Sequence, residues 1–175
     1  MFRKIRKLTL MSVARALAVG TAATLIAGSA FAGKVNIPKE GSFDFRFCMV
    51  GEEQSLSSTD KVSVSHYRAV ANTLSEPAGK AFDRMSALCY GTYANLNGRH
   101  QDFGVCEMAD QDGDKWWMEY HGNPGGGGGT NTSAHGTGKY EGMTFKGQYT
   151  DDNWPSAAKD TFQGCNPNKG TYKLK

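Results

Sequence analysis

The chain has 175 residues, 39% of them hydrophobic, which is enough for one sizeable core in a single domain. Its formal charge of +3 rests on Arg3, Lys4, Arg6, Lys7 and Arg15; residues 33–175 are slightly acidic, at −2. No basic stripe is left there for a nucleic acid, so that partner class is excluded.

Residues 1–32 read as a signal peptide. The early basic residues form its n-region and an apolar run from Ala16 to Ala30 its h-region. Ser29-Ala30-Phe31-Ala32 offers a small-x-small cleavage site, so cleavage is expected after Ala32. The run is shorter than the ~20 apolar residues of a membrane span. Residues 33–175 are therefore expected as one domain, periplasmic or secreted, with no membrane association after cleavage. Cys48, Cys89, Cys106 and Cys165 predict two disulfides in an exported chain. No Cys-x-x-Cys occurs, and His66, His100, His121 and His135 are scattered, so neither a metal site nor a cofactor is expected.

After an entry segment to Gly41, Ser42 to Val50 alternates, with Phe43, Phe45, Phe47 and Met49 on one side. That is the pattern of a half-buried strand. Gly51 to Asp60 reads as a polar loop. Val62 to Leu74 reads as a strand whose phase shifts midway, which predicts a bulge. Ser75 to Lys80 is a loop around Pro77 and Gly79, and Ala78 to Leu88 has room for a helical turn or two at most. Met85 to Asp110 forms a hairpin on Asn97-Gly98, the dipeptide suited to a type I′ turn. A two-residue loop there sets Cys89 opposite Cys106 at a non-hydrogen-bonded site. The Cα separation at such a site is ~4.5 Å, close enough for a disulfide. Cys89–Cys106 is thus the pairing the register favours, leaving Cys48–Cys165. A different pairing remains the alternative.

Asp110-Gln111-Asp112-Gly113-Asp114 begins like a calcium loop, but Lys115 and His121 stand where such a loop needs its Gly and its bidentate Glu. A two-residue turn on Asp112-Gly113 is expected instead, with Lys115 to Tyr120 as the return strand. His121 to Gly129 carries Pro124 and five consecutive glycines, a flexible loop at the rim of a cavity. It lacks the Lys-Ser/Thr of a phosphate-binding loop. Gly136 to Tyr149 has glycines every two to five residues between Thr, Tyr, Met and Phe, which suits bent strands and no helix. Thr150 to Lys159 is polar loop. Thr161 to Cys165 and Thr171 to Lys175 are short strands. Several short strands with glycine-rich connections predict an all-β fold, an antiparallel barrel or sandwich.

The two hairpins together define an expected inner face. Leu88, Tyr90, Thr92, Phe103, Val105 and Glu107 lie on it, joined by Trp116, Met118 and Tyr120 if the Asp112-Gly113 loop has two residues. Cys89, Cys106, Met108, Trp117 and Glu119 fall outside, with Cys48, as straps across the exterior. Glu107 is then the one carboxylate among apolar and aromatic neighbours. Desolvation raises the pKa of such a group and suits it to general acid or base work; at a barrel mouth it is simply solvated or paired. His66 is a second inward polar candidate, against a satisfied structural histidine. Tyr90, Phe103, Trp116, Met118 and Tyr120 are candidate ligand contacts, against plain core packing. No nucleophile motif occurs.

Gly136-Thr137-Gly138-Lys139-Tyr140-Glu141-Gly142 resembles the late Gly-Thr/Ser-Gly-x-Tyr/Phe-x-Gly/Ala signature of the allene oxide cyclase and dirigent-like barrel superfamily. With Asp-x-Asp-Gly-Asp-Lys-Trp before it, the chain looks closest to exported bacterial members of that group. The resemblance covers 42–149. It implies an eight-stranded antiparallel barrel with an apolar cavity, lipocalin-like in outline, often homo-oligomeric. Members cyclise an epoxide or steer radical coupling, mostly by shaping the substrate, and no catalytic residue carries over. Phe145 and Lys146 depart from the small residues the family often has after its signature. Three functions follow as expectations: a binder of a small hydrophobic or aromatic molecule, an isomerase or cyclase using Glu107, and a filled barrel with a structural role.

Overall fold

The structure, a computed structural model, describes residues 36–175. The expected signal peptide, its cleavage site and the start of the entry segment lie outside the described residues. The strands are β1 (Glu40–Ser58), β2 (Val62–Ser75), β3 (Ser86–Leu96), β4 (Arg99–Ala109), β5 (Lys115–Gly122), β6 (Gly129–Gly136), β7 (Thr144–Tyr149), β8 (Asn153–Trp154) and β9 (Thr161–Lys173), with a 3₁₀ turn at Gly138–Tyr140. All pairings are antiparallel, and β9 pairs with β1 to close the sheet. β7 and the two-residue β8 occupy successive parts of the same β9 edge. The result is a closed, eight-stranded antiparallel barrel, the fold class the sequence predicts. Closure leaves no open edge along the barrel wall.

Several strand boundaries differ from the sequence reading. β1 runs through the stretch expected as loop, to Ser58. Its bulge lies at Leu56, between the pairs Ser55↔Ser65 and Ser57↔Val64. The bulge expected within β2 is absent: Ser65, Ala69, Thr73 and Ser75 are buried in one unbroken phase. The extra residue sits on the partner strand instead. The two short C-terminal strands are one, β9, because β1 pairs with it without interruption across Pro167. The signature region is not continuous strand. Gly136 ends β6, the 3₁₀ turn follows, and β7 starts at Thr144.

The Asn97-Gly98 hairpin has the predicted register, with Cys89 facing Cys106. Both residues of its turn take positive φ, 57° and 85°, as a type I′ turn needs. Both expected disulfides are present, Cys89–Cys106 and Cys48–Cys165, with Cα separations of 4.0 and 3.9 Å. The next hairpin differs by one residue. Its loop holds five residues, not two, so Cys106 faces Met118 and Met108 faces Trp116. Asp110 shapes that loop: its Oδ1 accepts from the N–H groups of Asp112 and Asp114. A one-residue slip moves a strand's whole side-chain set to the other face. The inner face of β3 and β4 is accordingly the reverse of the expected one. Ala87, Cys89, Cys106 and Met108 are buried, whereas Tyr90, Phe103 and Val105 are exposed. Cys89–Cys106 therefore lies inside the barrel rather than strapping its exterior.

One half of the barrel is filled. Phe43 stacks on Phe45 and Phe145, and Trp116 tilts against Phe145 at 4.6 Å between centroids. The plug of this half is Phe82, supplied by the β2–β3 connection. It meets Phe43, Trp116, Tyr140, Phe145 and Tyr172, each within 6.2 Å between centroids. Phe82 is 1% exposed, and its φ of 65° is rare for a bulky residue. The connection is held in that shape from both sides. The Thr73 hydroxyl donates to the Phe82 carbonyl and accepts from the Met85 N–H. The Asp83 carboxylate accepts from the N–H groups of Ser75 and Gly79, each at 2.8 Å. Burial opposes ionisation of Asp83, yet those two donors hold its carboxyl below the usual range.

Candidate functional site

The other half of the barrel is open. It encloses a cavity of about 640 Å³, within the range of small-molecule sites. Phe47, Met49, Phe162, Met118 and the Cys89–Cys106 disulfide supply apolar wall, and the glycines of the 122–128 loop form part of the rim. That loop is the cavity rim the sequence suggests.

The cavity's tyrosines and the Asp102 carboxylate set the chemistry. The Tyr67 hydroxyl donates to Asp102 Oδ1 at 2.7 Å. Its oxygen is 2.5 Å from the Tyr120 hydroxyl. Tyr67 has one proton and gives it to Asp102, so Tyr120 donates to Tyr67. The chain Tyr120–Tyr67–Asp102 thus runs across three strands, with Tyr149 lining the same space. Burial raises Asp102 above the usual carboxylate range; the Tyr67 bond opposes this and the charge of Asp151 adds to it. Burial, with Asp102 nearby, holds Tyr67, Tyr120 and Tyr149 well above the ordinary phenol range. These tyrosines are neutral hydrogen-bonding groups at physiological pH, not bases.

Two glycines make room for this array. Gly91 and Gly104 face each other on β3 and β4. A Cβ on Gly91 would lie 2.3 Å from the Tyr120 hydroxyl and 2.4 Å from the Tyr67 ring, and one on Gly104 would lie 2.2 Å from the same hydroxyl. Only hydrogen fits at either place.

Asn131, Asn166 and Asn168 are buried against the cavity. Asn131 Nδ2 donates to Asn168 Oδ1 at 2.7 Å, and Asn168 Nδ2 to the Asn166 carbonyl. Among the described buried side chains, the Asn131 Oδ1 acceptor alone has no hydrogen-bond partner.

Comparison with protein-family models, curated proteins and solved structures finds no match. The site therefore rests on its own geometry.

Of the residues singled out from sequence, Met118 and Tyr120 line the cavity. Trp116 points inward but belongs to the filled half, its Nε1 donating to Met85 Sδ at 3.5 Å. Tyr90 and Phe103 are on the exterior, at 56% and 55% exposure, and Arg68 Nε donates to the Tyr90 hydroxyl. Glu107 is also outside, ion-paired with Lys115 at 2.6 Å. Its expected inward position depended on the register that the five-residue loop overturns. His66 is exposed on β2, because the phase shift that would have turned it inward does not occur. The residues that sequence reasoning missed are Tyr67, Asp102 and Tyr149. Tyr67 shares its strand face with Ala69 and Thr73, and placing Asp102 needed only Cys106, four residues on along β4, to be read as inward.

The Asp-rich loop and the glycine signature also meet. Lys139 Nζ sits 2.7 Å from Asp110 Oδ2 and also pairs with Asp112 and Asp114. Tyr140 donates to Asp110 as well, at 2.9 Å. Burial opposes the Lys139 charge, but the hydrogen bonds it donates to Asp110 and Asp112 outweigh this and raise its pKa. An internal ammonium thus sits among the Asp side chains that resemble a calcium loop. Gly138 has φ of 54°, and a Cβ there would lie 1.9 Å from Asp114 Oδ1. The signature clasps the end of the barrel and is remote from the cavity chemistry.

Proposed function

We propose that this is an exported binding protein that holds a small, largely apolar or aromatic molecule in the open half of its barrel. The observation that carries the reading is the division of the barrel: one half is packed with aromatic rings, the other keeps a cavity of about 640 Å³ with a polar array inside it. A filled barrel acting only through its surface would have no use for that space. Two disulfides are in keeping with an oxidising compartment, and the N-terminal sequence supports export by a cleaved signal. Among the described residues no helix is long and apolar enough to cross a membrane. Kinship with the allene oxide cyclase and dirigent-like barrels belongs to the same reading, supported by strand number and the late glycine signature.

The isomerase reading through Glu107 has no geometric basis, since that carboxylate lies outside the barrel. The cavity's own polar chain suits recognition: its tyrosines are held neutral, and its one buried carboxylate is already engaged by Tyr67. Native mass spectrometry of the exported protein tests the proposal. A co-purifying small molecule, lost on denaturation and absent from Ala69→Phe, is the expected result. Ala69 is 1% exposed in the cavity wall, so the larger ring would occupy the ligand's space. A bare mass, together with no binding of apolar probes by the wild-type chain, would overturn the proposal.

A further inference from the structure

The cavity has a marked charge bias. Asp102, Glu53 and Asp151 line it, and among the described residues no lysine or arginine does, His100 being the one basic side chain there. The three carboxylates act on the same space. All three charges fall on the Tyr93 hydroxyl, which burial and their fields hold above the usual phenol range. None of the three has an ion-pair partner among the described residues. The walls that face them are aromatic: Tyr67, Tyr93, Tyr120, Tyr149, Phe47 and Phe162. Ring faces attract cations, most strongly where water is excluded. Carboxylates and ring faces both favour a positively charged N–H donor.

We infer that the ligand is a protonated amine on an apolar body, its ammonium received by Asp102 within the tyrosine cage and drawn in by Glu53 and Asp151. This rests on the binding reading above and narrows its ligand class. An anion would meet three like charges, and a neutral apolar molecule would leave Asp102 buried without a counter-ion. The Tyr120–Tyr67–Asp102 chain orients the carboxylate, and the rings take the apolar body.

Three probes of one shape separate the possibilities: naphthylmethylamine, naphthylmethanol and naphthoate, titrated by calorimetry at pH 8 and low salt. The amine should bind about tenfold more tightly than the alcohol, in the range expected of a desolvated cation among rings, and naphthoate should not bind. Asp102→Asn should bring the amine down to the alcohol's affinity. The methyl NMR signals of Met49 and Met118, which line the cavity, should move with the amine. Those of Met85 and Met108, packed in the filled half, should not. An alcohol that binds as well as the amine would overturn the cation inference and leave the binding reading intact. Amine binding that spares Met49 and Met118 would locate the charge attraction on the surface and overturn it too. No binding by any of the three would remove both readings.

Discussion

Asp102 is a carboxylate that folding burdens. It is partly buried beside Tyr67, Tyr93, Tyr120 and Tyr149, with the charge of Asp151 acting on it and Glu53 and His100 lining the same cavity. Its folded pKa is raised, so the folded state holds the proton more tightly than the unfolded chain does. The stability this provides is fully present below the unfolded carboxyl's pKa and is lost as pH rises through the raised folded value. Asp102→Asn keeps an acceptor for Tyr67 and cannot ionise. It should therefore melt near the wild type in acid and above it at neutral pH. A gain on the order of 1 kcal/mol corresponds to about 3 °C in Tm. Differential scanning calorimetry across that range checks this, and equal Tm values at neutral pH would mean that Asp102 is not strained. A residue that weakens the fold yet lines a cavity is the pattern expected of one kept for binding.

At the level of elements, the Asp110–Asp114 loop and the 3₁₀ turn form a clasp across the barrel's closed end. Lys139 is 17% exposed, and its principal partner Asp110 is 2% exposed. Lys139→Met removes the cation and leaves Asp110 buried without it. The expected loss is about 3 kcal/mol, the lower range for breaking a buried ion pair, read from the urea midpoint. Because the Lys139 pKa is raised, its contribution holds below the unfolded lysine pKa and fades only as pH climbs through the higher folded value. The wild-type advantage should thus persist at pH 9 and shrink in stronger alkali. This clasp also explains what the sequence conceals. The Asn97-Gly98 turn is local chemistry, so the β3–β4 register and the Cys89–Cys106 pairing are legible from the residues alone. The next turn is set by Asp110 side-chain bonds and by Lys139, about thirty residues further on, so its five-residue length is not. That one residue inverts the assignment of Tyr90, Phe103 and Glu107. Ordinary binary patterning misleads there, because β3 and β4 carry large apolar residues outward and Ala, Cys and Gly inward, beneath the tyrosines.

Taken as a whole molecule, the barrel has one packed half and one open half, and the proposed binding belongs to the open one. The aromatic half is continuous packing around Phe82, a residue that no strand pattern identifies because it enters from a connection. The open half has rings on its walls and space at its centre. Substitutions should therefore separate cleanly. Phe82→Ala removes a ring that meets six other aromatic side chains among the described residues and should cost about 3–5 kcal/mol, as for large-to-small core changes. Met49 and Met118 should still respond to naphthylmethylamine in that variant, well below its lowered melting temperature. Ala69→Phe should do the opposite, keeping the wild-type Tm within a few degrees while binding disappears. Sites in contact or sharing one cavity couple, whereas distant ones add, so the double variant should show the two effects summed. Strong coupling between them in chemical denaturation and calorimetry would mean that ring packing and ligand cavity form one unit, with the filled half shaping the site as well as supporting it.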